Sequence, residues 1–290
     1  MPELPEVETA RRLSEEHLAG RRVAGIEVRL PKILRDSPIP TEDVLVGATM
    51  VAAQRRAKIL TLDFSNDLSL MIHFKLAGQW AIFPSDGTRY VAGHPHPKPD
   101  GEFPHKSTHA TISFTDGTVV YYSDIRQFGW WRIMGTDDVE EALQAFRYGP
   151  EAVGELDAIA LANAMSRRGI AIKALLLDQS FIAGLGNIYV DEVLWLARVH
   201  PNSPANAIST VKRREIIRHI PAVMAEGIRQ GGAKIINNIA HPVDDFPAIH
   251  ARVGEPCLRC GTTIQKIRVA QRGTYVCPKC QKLPRPSAAE

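Results

Sequence analysis

Nowhere in the 290 residues is there an uninterrupted run of about 18 apolar residues, the length a helix needs to cross a bilayer. The first residues also lack the charged-then-apolar layout of an export signal, being acidic and broken by prolines. The expected location is therefore the cytoplasm. Cysteine is scarce, with four residues in all and none before position 257; two disulfides are the competing reading of them, and a reducing compartment disfavours it. A strong overall charge is missing too, since the formal net charge is only +3. Acidic residues nearly vanish from one segment, however: between positions 251 and 285 Glu255 stands alone against eight Lys or Arg. With 44% apolar and 23% charged residues, the chain reads as a soluble globular protein long enough for two or three units.

All four cysteines fall inside that basic segment. They are Cys257-Leu258-Arg259-Cys260 and Cys277-Pro278-Lys279-Cys280, two C-x2-C turns separated by sixteen residues. Each turn can aim two sulfurs at one ion, which predicts a four-thiolate zinc site. Ile264, Ile267, Val269 and Val276 predict a hairpin between the turns, with Arg268 and Arg272 near its tip. Four protein ligands leave no open position for a catalytic water, so the zinc is expected to be structural. The segment stays positive even after four thiolates are set against the ion, a footprint suited to a polyanion. Taken without the motif, it would read as a solvated surface.

At the other end of the chain stand Met1-Pro2-Glu3-Leu4-Pro5-Glu6-Val7-Glu8-Thr9. Removal of Met1, usual before a small residue, leaves the secondary amine of Pro2 at the chain start. An α-amino group titrates at roughly 7.7 to 8.0, so near neutral pH a useful fraction is an unprotonated nucleophile. Glu3 and Glu6 lie within one helical turn and can move protons, the combination that imine chemistry on a sugar requires. Periodicity alone favours a plainer reading: Pro5, the first-turn acids, Leu13, Leu18 and Gly20 also make an ordinary amphipathic helix.

Short β-type runs follow at 23–28, 44–51, 59–64, 68–74, 80–83, 108–114, 119–122 and 130–133, with turn signals at Asn66-Asp67 and Asp116-Gly117. They predict a sandwich or flattened barrel. The proline- and histidine-rich stretch between Phe83 and Lys106 is expected to be a flexible excursion, because no acid or cysteine spacing makes His94, His96, His105 and His109 a metal site. Thr136 or Asp137 can cap a helix running to about Phe146, and helices are predicted at 157–166, 171–178, 187–197 and 210–230. Within Ser180 to Tyr189, Gly184 and Gly186 allow two backbone turns, Asn187 can cap the next helix, and its first N–H groups would suit a phosphate. Residues 233–250 show no clear period, and 284–290 reads as a disordered tail.

Three of these pieces, in this order, resemble the formamidopyrimidine-DNA glycosylase and endonuclease VIII family of base-excision repair enzymes, and its formamidopyrimidine branch in particular. Pro2 to Glu8 resembles the N-terminal signature, Gly184-Leu185-Gly186-Asn187-Ile188-Tyr189 the helix–two-turn–helix motif, and Gly254 through Gln281 the zinc-finger hairpin. The resemblance spans nearly the whole chain. It implies an α+β multidomain fold: an N-terminal catalytic β-sandwich with an N-terminal helix over 1–134, a helical helix–two-turn–helix DNA-binding domain over 135–250, a zinc-finger β-hairpin over 251–283 and the tail over 284–290.

Position by position, the resemblance implies that Pro2 attacks C1′ of a damaged nucleotide, Glu3 protonates the opening sugar and Glu6 supports that network. Lys58 would lie beside the DNA backbone, Asn187 and Arg272 would clamp flanking phosphates, and Lys173 and His73 would also face DNA. Leu76 stands where the family has a methionine, with Arg126 for the orphaned base and Phe128 as a wedge for the gap left by an everted nucleotide. Outside the family, Lys58 and Lys173 read as solvated lysines, His73 as a satisfied sheet histidine and Phe128 as a core aromatic. Two departures bear on lesion choice: 234–249 does not match the glycine-rich loop that caps an everted oxidised purine, and Ile125 replaces the usual proline after Asp124.

The implied activity is that of a monomeric, zinc-bearing bifunctional DNA glycosylase and abasic-site lyase. It would act on damaged double-stranded DNA, removing oxidised purines such as 8-oxoguanine and formamidopyrimidines and cleaving the strand by β,δ-elimination. One alternative is an abasic-site lyase with weak or pyrimidine-directed excision. A second is a non-catalytic zinc-ribbon protein that binds DNA structure, against which the presence of Pro2, Glu3, Glu6 and Lys58 argues.

Overall fold

The computed structural model describes residues 2–237 and 239–283, so Met1 and the expected tail at 284–290 lie outside the described residues. The chain divides into two compact units, Met1–Arg147 and Tyr148–Glu290.

In the first unit, α1 (Leu4–Leu18) is followed by β1 (Val23–Val28), β2 (Met50–Arg56), β3 (Ile59–Phe64), β4 (Leu68–His73), β5 (Gly78–Phe83), β6 (Tyr90–Gly93), β7 (Thr108–Phe114), β8 (Val119–Asp124) and β9 (Trp130–Gly135). The strands make two sheets, in the orders β1-β7-β8-β5-β6 and β2-β3-β4-β9. Val7 and Leu18 of α1 share one core with Leu60, Ile72, Trp80, Tyr122 and Trp131 from both sheets. The expected sandwich is therefore present.

Two local expectations change. The run over 44–51 splits, because Asp43–Leu45 is a single 3-10 turn and Gly47 takes a φ of 85°; the strand runs over Met50–Arg56 instead. Its polar end fits a strand because Gln54 donates to Asp63 at 2.6 Å and Arg55 to Glu8 at 3.0 Å, partners that no local pattern reveals. The stretch expected to be a flexible excursion contains β6. It is tied down by Gln79, fully buried on β5, whose Nε2 donates to the carbonyls of His94 and Pro97, both at 2.7 Å.

Residues 135–147 stay with the first unit, although the sequence places the helical domain from 135 onward. After the 3-10 turn Thr136–Asp138 comes the short α2 (Val139–Gln144), which has no side-chain cap, and beyond it Phe146 stacks on Trp130 with centroids 6.1 Å apart. That aromatic pair holds the segment to β9.

The second unit holds α3 (Ala158–Met165), α4 (Ile172–Leu177), α5 (Asn187–Leu196) and α6 (Thr210–Arg229). Asp157 caps α3 by accepting from the N–H groups of Ile159 and Ala160 at 3.0 and 2.9 Å. Along α6, Ile216, Ile217, Ile220, Val223, Met224 and Gly227 form the buried stripe expected of an amphipathic helix. The aperiodic 233–250 stretch contains a small hairpin, β10 (Ile235–Ile236) with β11 (Ile239–Ala240). A second hairpin, β12 (Gln265–Val269) with β13 (Arg272–Val276), carries the cysteine turns at its base. It has no core of its own: Ile264, Tyr275, Cys257 and Cys277 pack in one cluster with Trp195, Ala248 and Ile249. A piece this small needs such a staple, since it buries too little surface alone.

Candidate catalytic and nucleic-acid-binding site

At the start of α1, Pro2 is buried and Glu3 is completely so. Glu3 is the N-cap, in an extended conformation, and forms a reciprocal capping box with Glu6, whose Oε2 accepts the Glu3 N–H at 2.8 Å. The box satisfies helix N–H groups that have no partner within the helix and keeps both carboxylates on the first turn, behind Pro2. The positive end of the helix also favours charge there.

Strand register gathers the next group. Arg56 pairs with Ile59, so Ala57 and Lys58 form the two-residue turn between β2 and β3; Ile59 pairs with His73, and His73 with Trp130. Lys58 and His73 therefore sit at one end of the four-stranded sheet. His73 is pulled down to about 3, first by burial and then by the charges of Lys75 and Lys58. Its ring is neutral at any working pH. Because Nδ1 accepts the Lys75 N–H at 3.0 Å, the proton belongs on Nε2, which makes the ring a neutral hydrogen-bond donor. Lys75 lies below the ordinary lysine value through burial and the Arg132 charge, and Arg132 rests over the Trp130 ring at 4.6 Å. Sequence reasoning missed Lys75 and Arg132. Lys75 follows His73 by two residues, whereas only the pairing of β4 with β9 brings Arg132 near it.

The β5–β8 pair ends at Gly78 opposite Asp124, so the turn carrying Leu76 and the loop carrying Arg126 and Phe128 leave the same edge. Asp124 is buried and shapes that loop. Its Oδ1 accepts from Arg126 N–H at 3.0 Å, and its Oδ2 accepts from Phe128 and Gly129 at 3.0 and 2.8 Å. The loop projects Ile125, Arg126 and Phe128, with the Arg126 guanidinium 5.5 Å from the Phe128 ring centre. Phe128 is 54% exposed and so is no core aromatic. Glycine is required on both sides, since a Cβ at Gly78 would lie 2.7 Å from Phe74 Cα and one at Gly129 would collide with the Tyr122 hydroxyl.

In the second unit, Gln179 frames the two-turn segment by accepting from Gly184 N–H at 2.9 Å and donating to the Leu185 carbonyl at 2.9 Å. Gly184 takes a φ of 97°, which favours glycine, whereas Gly186 is extended and is itself the N-cap of α5. Asn187 is thus not the cap. Its side chain donates instead to the Gly273 carbonyl at 3.0 Å, which places it beside the exposed Arg272 at the start of β13.

Lys173 departs from its expected place facing DNA. It is completely buried, with Nζ 2.7 Å from Asp191 Oδ1 and 3.4 Å from the Gly273 carbonyl, because α4 packs this face onto α5. An ammonium paired inside the protein does not reach a phosphate. Asp191 also accepts from Tyr275 N–H at 3.1 Å and bonds His250 Nδ1 at 2.7 Å, so one carboxylate joins α4, α5, β13 and the segment before the hairpin. Removing one partner of a buried pair typically costs about 3 to 5 kcal/mol. Lys173→Met should accordingly lower the melting midpoint sharply, and Lys173→Met with Asp191→Leu should recover part of the loss. An unchanged midpoint in the single variant would show that the pair holds nothing together.

The four thiols are free and their sulfurs lie within 4.8 Å of one another, Cys260 being 3.5 Å from both Cys277 and Cys280. A tetrahedral zinc with bonds of about 2.3 Å sets its sulfurs nearly 4 Å apart, so the donor set and its spacing fit this ion. Trp195 Nε1 donates to Cys257 Sγ at 3.4 Å, a bond suited to a thiolate, and Arg259 covers the same indole at 4.2 Å. With all four positions taken by Cys257, Cys260, Cys277 and Cys280, the ion's part is structural.

Comparison with known proteins adds three matches along the chain. Residues 1–131 match the formamidopyrimidine-DNA glycosylase N-terminal domain, 148–238 the formamidopyrimidine-DNA glycosylase H2TH domain, and 254–283 the zinc finger found in FPG and IleRS. A formamidopyrimidine-DNA glycosylase of Streptococcus thermophilus is 35% identical over 288 residues, covering 97% of this chain and 100% of the relative. That of Lactiplantibacillus plantarum is 36% identical over 289 residues, covering 98% and 100%. Among solved structures, the Lactococcus lactis enzyme with DNA containing an N7-benzyl-Fapy-dG superposes with a TM-score of 0.83 at 34% identity, covering 97% of this chain and all of that one. Its complex with abasic-site DNA gives 0.84 at 33% identity, with the same coverage.

Proposed function

Because the chain belongs to the formamidopyrimidine-DNA glycosylase family, we propose that it is a base-excision repair enzyme that removes an oxidised base from double-stranded DNA through an imine on Pro2 and then cleaves the strand. The observation that carries this reading is the Glu3–Glu6 capping box directly behind Pro2, which buries two carboxylates where an amine nucleophile needs proton carriers. With Met1 removed, the Pro2 nitrogen adds to C1′ as the glycosidic bond breaks and the base leaves with a proton. Glu3 protonates the ring oxygen as the sugar opens to an iminium, and Glu6 holds Glu3. Loss of a C2′ proton then expels the 3′ phosphate, a second elimination expels the 5′ phosphate, and hydrolysis frees Pro2.

Binding falls to the other residues. Lys58 and the neutral His73 donor face phosphates, joined by Lys75, while Asn187 and Arg272 hold others. Leu76, Arg126 and Phe128 fill the stack behind the everted nucleotide. Among the described residues no helix is long and apolar enough to cross a membrane. The enzyme works as a cytoplasmic monomer with one structural zinc. Oxidised purines are the favoured substrates, as the Fapy-dG and 8-oxo-G DNA in complexes of solved relatives suggests. The departure of residues 234–249 from the glycine-rich capping loop, a stretch that holds the short β10–β11 hairpin, favours a second reading, an abasic-site lyase with weak or pyrimidine-directed excision. An excision panel of oxidised purines, oxidised pyrimidines and a plain abasic site in duplex DNA decides between them. Cleavage of the abasic site alone would reject the glycosylase step.

Stacking of a base on an aromatic side chain is worth about 1 to 3 kcal/mol. Phe128→Ala should therefore slow single-turnover excision by roughly 10- to 100-fold in duplex DNA, and it should barely move the melting midpoint because the ring is exposed. Unchanged excision would remove the wedge.

A further inference from the structure

The turn carrying Lys58 is tied to α1 by a route separate from the sheet. Arg55 Nε donates to Glu8 Oε2 at 3.0 Å, and Arg55 Nη1 donates to the Ala57 carbonyl, also at 3.0 Å. Ala57 has a φ of 52°, a left-handed conformation that costs a non-glycine residue roughly 1 kcal/mol or more, and the guanidinium bond offsets that strain. Glu8 is gripped from its own helix by Arg11 at 3.0 Å and Arg12 at 2.9 Å. Burial pushes the Glu8 carboxyl up, but its bonds to Arg11, Arg12 and Arg55 outweigh this and hold it below the ordinary value. Two further bonds fasten α1 to β2 at Ala53, whose N–H donates to Glu15 at 2.6 Å and whose carbonyl accepts from Arg11 at 3.4 Å.

The Glu8 and Arg55 side chains are only 11% and 8% exposed. An ion pair so nearly buried gains little net stability, because desolvation offsets the attraction. Fixed geometry is what a planar guanidinium holding two acceptors does provide. We propose that Glu8 and Arg55 are positioning residues, a strut that sets Lys58 relative to the helix bearing Glu3 and Glu6. The proposal rests on the reading of Lys58 as a phosphate contact. Misplacement of a substrate-holding group by about 1 Å can cost 100-fold in rate, so the strut's effect belongs on the chemical step.

The test is a double-mutant cycle in the full-length zinc-loaded protein, read as single-turnover excision of an oxidised purine alongside affinity for undamaged duplex and the melting midpoint. Arg55→Lys keeps the charge and one bond but cannot span both acceptors. It should slow excision about 10-fold while leaving undamaged-DNA affinity within about twofold, and in a Lys58→Ala background it should change the rate by less than about twofold. Equal slowing in both backgrounds, or none in either, overturns the strut. If Lys58→Ala alone left the rate unchanged, the reading of Lys58 would fall first, and the strut with it. Should Arg55→Lys fail to fold, the same cycle is run with Glu8→Gln, which keeps the side-chain shape and leaves the Ala57 bond in place.

Discussion

With one residue retained in front of Pro2, the protein should still bind abasic-site DNA but lose both excision and borohydride-trapped adduct by on the order of a thousandfold or more, the scale seen when a nucleophile is removed. The extension turns the proline nitrogen into a tertiary amide that cannot add to C1′. The Glu3–Glu6 box, Lys58 and the wedge loop would all remain. A simple Pro2→Ala change is a poorer test, since alanine would present a primary amine able to react. Comparing trapped adduct with DNA affinity in the blocked protein separates chemistry from binding. Full excision by a protein whose extension is verified by mass would refute the imine mechanism.

Removing zinc should have the next largest effect. Structural zinc sites in small fingers contribute about 10 to 16 kcal/mol of apparent binding energy, comparable to or larger than the whole stability of a typical domain. Here Cys257 and Cys277 belong to the same core cluster as Trp195 and Ile249, so the loss would spread from the hairpin into the helical unit. Either Cys277→Ser or exhaustive chelation should cut DNA affinity by about 100-fold or more. The emission of Trp195 should change as well, because its indole N–H lies 3.4 Å from Cys257 Sγ. If metal analysis showed no zinc while affinity and emission held, the hairpin would have no part in the grip on DNA.

Legibility in the sequence tracked how local the cause was. The four-cysteine cluster needed only two C-x2-C turns, and the first-turn acids needed only helical spacing. The strand runs survived as a sandwich because alternation and turn residues act over a few positions. The 84–107 stretch differs from its expected flexibility because its order comes from partners outside it, the pairing of β6 with β5 and the Gln79 amide reaching two carbonyls. Lys173 was misread for a similar reason. A lysine on a short helix reads as solvated or DNA-facing until Asp191, eighteen residues away, is found against it. Arg132 stayed hidden because only pairing across β4 and β9 brings it near Lys75 and His73.

Asp124 separates two duties that many recognition loops mix. The loop's contour comes from one carboxylate gathering three main-chain amides and from the absence of a side chain at Gly129. Ile125, Arg126 and Phe128 hang outward from that frame and leave the folded core untouched. On the proposed reading of this loop, those three tips can be exchanged, by selection or by design, to retune which opposing base is tolerated, while the frame that displays them stays in place.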